Sequence, residues 1–394
     1  MGKPIYLDYN ATTPIDPAVR EAMLPYLGEY FGNPSTTHAY GQPVKQAVEC
    51  ARQQVASLIG ATPEEVIFTS GGSESDNHAI VGAALANSRK GKHIITMSIE
   101  HPAVLNTCRY LGERLGFKVT YVPVDKYGLV DPKDIRRAIT GETILITIMH
   151  ANNEVGTTEP IAEIGEIARE RGILFHTDAA QSCGKIRVSV SELKVDLLTI
   201  AGHKLYAPKG IGALFIRRGV QIDSLIHGAG QEKGRRAGTE NVPYMVGLGK
   251  ACELAEQALS EYGNGTKVKG LRDRLYESIV GGLGKDCVYL NGHPERRLPN
   301  TLNISIWGII GDELLSRIPE IAASTGAACH AGSTKPSGVL LEMGLTRELA
   351  LGALRLTLGR WSTPEEIDTA AKLIVERAKQ KAVPQSADCL DYSI

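Results

Sequence analysis

The stretch Phe68-Thr69-Ser70-Gly71-Gly72-Ser73-Glu74-Ser75-Asp76-Asn77 reads as a strand that runs into two glycines and then opens a helix. Glycines let a backbone approach a ligand closely, and the free N–H groups at a helix start favour a phosphate. The stretch is neither a Walker A loop nor a G-x-G-x-x-G fingerprint, so an ordinary nucleotide site is not indicated. Read alone, a capped helix after a tight turn accounts for it at least as well.

On both sides of this stretch, between about residues 60 and 220, short β-branched apolar runs alternate with helix-like stretches. That alternation predicts βαβ units around a mostly parallel, seven-stranded sheet, an α/β fold. The expected strands are 65–69, 93–97, 118–122, 144–149, 173–177, 197–201 and 212–216, with helices at 76–87 and 161–171 among them. A long amphipathic stretch runs from Val242 toward Tyr262 and meets the loop signal Gly263-Asn264-Gly265. From Lys267 the pattern becomes helix, strand, helix, the mark of a second, smaller α/β domain. The expected division is a large domain over 15–256, a small domain combining 1–14 with 257–384, and a polar tail over 385–394.

Composition narrows the function classes. The 394 residues are 43% hydrophobic and 22% charged, ordinary globular usage, so general disorder is excluded. Lys and Arg number 43 against 44 Asp and Glu, a balance that gives no broad field for nucleic acid or an anionic membrane. No run approaches the roughly 18 apolar residues of a membrane span, and the start Met1-Gly2-Lys3-Pro4-Ile5-Tyr6 lacks an apolar signal core. A soluble, cytoplasmic protein is expected. Seven scattered cysteines with no C-x-x-C pair fit neither a disulfide framework nor a zinc ribbon, and no metal is expected. Most of them should be small buried hydrophobes.

Two further sites carry chemistry. In Phe175-His176-Thr177-Asp178-Ala179-Ala180-Gln181 an acid ends a buried strand, which is costly unless it meets a cation or a donor. A pyridinium nitrogen would serve, and so would the start of a helix that Asp178 caps. In Ala201-Gly202-His203-Lys204 a lysine follows an apolar strand through a glycine, where desolvation lowers its pKa and suits it to a Schiff base. Taken singly, Lys204 is more simply a surface lysine. Together the phosphate cradle, the acid and the lysine meet the three requirements of pyridoxal 5'-phosphate.

The ordered motifs Tyr6–Pro14, Phe31–Ser35, Glu100-His101, His150–Gly156, Gly202–Lys204 and Arg235–Asn241 make the chain resemble a NifS/IscS-type cysteine desulfurase. These are fold-type I pyridoxal phosphate enzymes of the class V aminotransferase group. The resemblance covers roughly residues 3–380. It implies that Lys204 carries the cofactor, Asp178 pairs with the pyridine nitrogen, and His101 stacks on the ring and counts among the catalytic residues. It implies also that Asn153 and Gln181 contact the ring oxygen or substrate, and that Ser73, His203 and the backbone near Gly72 hold the phosphate. Thr239 would reach the phosphate of a neighbouring subunit in a homodimer with shared active sites. Arg355 would bind the substrate carboxylate, with a planar fork suited to it.

In Gly326-Ala327-Ala328-Cys329-His330, Cys329 would take sulfur from L-cysteine as a persulfide for an acceptor or scaffold protein. An uninvolved His330 is the simpler reading of that histidine. The chain has Ala201 and Ser73 where such enzymes often have Ser and Thr. Residues 326–330 and 238–241 resemble selenocysteine lyase, which acts on L-selenocysteine and is the alternative activity.

Overall fold

The computed structural model describes residues 3–262, 265–326 and 335–381. Seven strands form its central sheet: β1 (Val66–Thr69), β2 (His93–Met97), β3 (Lys118–Val122), β4 (Thr143–Thr147), β5 (Leu174–Asp178), β6 (Leu197–Ala201) and β7 (Gly212–Ile216). Their order is β1-β7-β6-β5-β4-β2-β3. Only β7 runs against its neighbours. Five of the strands are buried throughout and β5 at every residue but its first, as strands covered by helices on both faces must be. The seventh, β3, lies at the edge and begins with an exposed lysine, which discourages pairing with another chain.

Helices α1 (Gly41–Ile59), α4 (Ile161–Glu170) and α5 (Val242–Tyr262) cover one face of the sheet, with α1 and α5 packed along one another. Helices α2 (Gly72–Asn87) and α3 (Pro102–Leu115) cover the other. A bidentate ion pair ties α1 to the turn over 231–234 and, through Phe68, to β1. Arg52, 3% exposed, donates from Nη1 and Nη2 to Glu232 at 2.7 and 2.9 Å, and the Phe68 N–H donates to the same carboxylate at 2.8 Å. Each charge is satisfied, which is the condition under which a buried pair is tolerated.

A second sheet, antiparallel, is built from β8 (Val288–Asn291), β9 (Thr301–Ile306) and β10 (Ala353–Thr357) in the order β10-β9-β8. Helices α6 (Thr266–Leu283) and α8 (Pro364–Lys381) share its separate apolar core. The chain start joins this part, since Ile5–Tyr6 pairs with Ile321–Ala322.

Four of the seven strand ranges match the sequence expectation and the other three move by one or two residues. The largest correction concerns α2, which begins at Gly72 rather than Asp76. Gly71 caps it at φ +153°, a conformation that side chains resist. The cysteine expectation holds for Cys108, Cys183 and Cys252, which are buried, and not for Cys50, which is exposed. No helix among the described residues is long and apolar enough to cross a membrane.

Candidate active site

The carboxyl ends of the parallel strands open into one cleft of about 720 Å³, where ligands sit in open α/β sheets. Gly72, Ser73, His101, Asn153, Asp178, Gln181, His203, Lys204 and Arg355 all line it. Thr239 does not line it; it is exposed, on the segment that Arg236 ties to Glu74 in the first turn of α2 at 2.9 Å. Cys329 and His330 lie outside the described residues, as does the tail over 385–394.

Lys204 closes a tight turn after β6. The turn needs glycine at 202, where a Cβ would stand 2.8 Å from the Ile211 carbonyl. The Lys204 ammonium donates to the carbonyls of Asn10 and, at 2.7 Å, Ala11. Burial, then the nearby Arg355 charge, lowers its pKa to about 8, with Asp178 and Asp8 opposing. A neutral amine is therefore accessible near neutral pH.

Asp178 is the last residue of β5, buried, with Oδ1 accepting from the Ala180 N–H at 2.8 Å. Burial raises its pKa, while the charges of His101 and Lys204 pull it down. His101 caps α3: its Nδ1 accepts from the Ala103 N–H at 3.1 Å, which leaves the proton of a neutral ring on Nε2. Burial lowers the His101 pKa and favours that neutral ring. Asp178, His101 and Asp76 bring their polar atoms within 4.8 Å of one another. Asp76 Oδ1 is buried without a hydrogen-bond partner, 3.7 Å from His176 Nε2. Burial and then the nearby Asp178 charge raise Asp76, and burial drives His176 down to about 3, which disfavours an ion pair between them.

Arg355 enters the cleft from β10. Its Nη2 donates to Asp8 at 2.9 Å and its Nη1 to the Asn153 carbonyl at 3.3 Å, while its buried Nε has no partner. Gln181 is held by two neighbours: it donates to the Asn10 carbonyl at 3.0 Å and accepts from Lys185 at 2.7 Å. His203 Nδ1 is 3.2 Å from the Thr12 hydroxyl. The cleft thus holds the helix-start N–H groups of α2, a guanidinium, and a lysine amine beside a buried acid.

Among the lining residues without a role in the sequence reading are Asn10, Asp76 and Glu154. Each stands in a quoted motif, so the motifs were the available signal. Asn10 is a hub, donating from Nδ2 to Thr301 and Asn153 and accepting at Oδ1 from Lys185 and Asn300. Its partners are scattered over 290 residues of sequence, which no local pattern reveals.

The aminotransferase class-V family model matches residues 5–369. The cysteine desulfurase IscS of Methanosarcina thermophila is 53% identical over 376 residues, covering 95% of this chain and 92% of its own. The cysteine desulfurase of Mus musculus is 47% identical over 381 residues, covering 96% of this chain and 82% of its own. Among solved structures, a NifS-like protein has a TM-score of 0.88 and 38% identity, over 96% of this chain and 100% of that one. SspA in complex with cysteine has a TM-score of 0.78 and 38% identity, over 91% and 99%. With the family model matched along most of its length and the cleft built at the expected strand ends, the chain belongs to the aminotransferase class-V family.

Proposed function

We propose that this chain is a pyridoxal phosphate-dependent cysteine desulfurase, which converts L-cysteine to L-alanine and passes the sulfur through Cys329 to an acceptor. One observation carries the reading: residues from six separate stretches, three read from their chemistry and three from the resemblance, line a single cleft. The names of the similar proteins support the same activity and give selenocysteine lyase no support.

The residues present fit the cofactor. The α2 start with Gly72 and Ser73, together with His203, would hold the phosphate; Asp178 would face the ring nitrogen and His101 the ring. The unpartnered buried oxygen of Asp76 marks the same end of the cleft as polar ground. Pyridoxal phosphate, when bound, withdraws electrons from the α-carbon of the amino acid and makes its proton labile. Arg355 orients the substrate carboxylate, with Asn153 beside it. The Lys204 amine takes the α-proton as general base, a role that its lowered pKa suits. The Cys329 thiolate then attacks the substrate sulfur: the carbon–sulfur bond breaks and a sulfur–sulfur bond forms. L-Cysteine and a thiol give L-alanine and a persulfide, with atoms and electrons balanced and no outside oxidant needed.

A homodimer with shared sites belongs to this proposal. Thr239 is exposed beside the phosphate end of the cleft, and Leu24, Leu27, Phe31 and Tyr40 expose 49–73% of their surface. A sedimenting mass of one chain would contradict it. The two-domain division at 15–256 against 1–14 with 257–384, and a cytoplasmic location, complete the reading.

The test is L-alanine release from L-cysteine and from L-selenocysteine, side by side, by the enzyme loaded with pyridoxal phosphate. Turnover of L-cysteine with sulfur recovered as persulfide is expected. Turnover confined to L-selenocysteine would overturn the proposal.

A further inference from the structure

We propose that Glu154 is a positioning residue that fixes both ends of the segment carrying Cys329 beside the substrate arginine. The proposal rests on the desulfurase reading for the role of Cys329, and its geometry stands on described residues alone. Glu154 lines the cleft on a rigid loop. The Asn152 side chain, fully buried, accepts from the N–H groups of Glu154 and Val155 at 2.8 and 3.0 Å and donates to the Ile99 carbonyl at 3.1 Å.

The Glu154 carboxylate meets the chain at two places. At the amino side lies Gly326, at φ +89°, where a Cβ would stand 3.1 Å from Glu154 Oε2. At the carboxyl side the Ser337 hydroxyl donates to the same oxygen. Ser337 also caps the short helix α7 (Gly338–Glu342), accepting from the Leu340 N–H at 3.2 Å. The next residue of the loop strengthens this hold. Val155 packs with Leu340, Met343, Ala350 and Ala353 in one buried apolar cluster, so the loop grips α7 by a hydrogen bond and by burial together.

The substrate side belongs to the same assembly. Arg355 donates to the Asn153 carbonyl, one residue before Glu154, and its N–H to the Ser324 carbonyl at 2.7 Å, two residues before Gly326. The guanidinium that would hold the carboxylate and both roots of the Cys329 segment therefore share one loop as their reference. Burial raises the Glu154 carboxyl to about 7, opposed by the Ser337 hydroxyl and the Arg355 charge. In either protonation state a carbonyl oxygen remains to accept from Ser337, so an amide should replace it.

Three variants of the loaded, full-length enzyme test this: E154A, E154Q and S337D. S337D keeps a good helix cap but sets a carboxylate against Glu154, so it separates loss of the contact from loss of the cap. Two quantities are read: the rate at which iodoacetamide alkylates Cys329, by peptide mass, and the kcat and KM of L-alanine formation from L-cysteine. In E154A and S337D, alkylation should rise about tenfold, the weight of one hydrogen bond to a charged group. Their kcat should fall about tenfold or more with KM within about threefold, as misplacement of a reacting group requires. E154Q should stay within about threefold of wild type on every measure.

Wild-type alkylation rates in both E154A and S337D would overturn the proposal, as would a raised KM with kcat unchanged. Failure of the desulfurase reading has a different sign. Cysteine turnover would then survive in C329A, while the alkylation rates would still judge the anchoring.

Discussion

Lys204→Ala is expected to form L-alanine from L-cysteine at least about 10,000-fold more slowly than wild type, the upper range for removal of a general base. The loss should be large because one amine serves twice in this account, first in holding the cofactor and then in moving the α-proton. Its setting is specific. The turn through Gly202 aims it at the carbonyls of Asn10 and Ala11, and burial beside Arg355 lowers it to about 8. Lys204→Arg should fare little better, since a guanidinium stays charged at every accessible pH and offers no free amine. The check is a steady-state alanine assay at saturating pyridoxal phosphate, paired with thermal unfolding to show that the variant folds. Activity within about tenfold of wild type would remove Lys204 from the chemistry.

Cys329→Ala is expected to lower desulfuration of L-cysteine by about 1,000-fold, on the scale of other lost nucleophiles. No cysteine among the described residues lines the cleft. Burial pushes the thiols of Cys108 and Cys183 up to about 12 and raises Cys252 well above its ordinary value, so none of the three supplies a thiolate near neutral pH. Cys50 is exposed and Cys287 partly so, both away from the cleft lining. That leaves Cys329 and Cys389, and the family resemblance singles out Cys329. Cys389→Ala should therefore keep wild-type turnover. The same alanine assay decides between them, and a fall in Cys389→Ala with Cys329→Ala unaffected would reverse the assignment.

Most of the central sheet was legible because its inner strands are apolar runs buried on both faces. The start of α2 was not, because Gly71 sets it through a backbone conformation rather than a side-chain pattern. The antiparallel sheet hid for another reason. Asn291, Asn303 and Ser305 are buried on β8 and β9, where Asn291 Nδ2 donates to the other two side chains at 2.8 and 2.9 Å. A polar ladder satisfied from within looks like a loop in sequence.

The candidate site divided along the same line. Lys204, Asp178 and the Gly71-Gly72 turn stand at strand ends where chemistry shows in local sequence. Asn10 and Glu154 act through partners far along the chain, such as Thr301 and Ser337, and their importance appears only when the chain folds.

The most direct measurement is the mass of the Cys329 peptide after the loaded wild-type enzyme meets L-cysteine with no acceptor present. This peptide is expected to gain one sulfur atom, removable by thiol, with one L-alanine released for each sulfur bound. L-Alanine formed in many turnovers while Cys329 stays an unmodified thiol would contradict it.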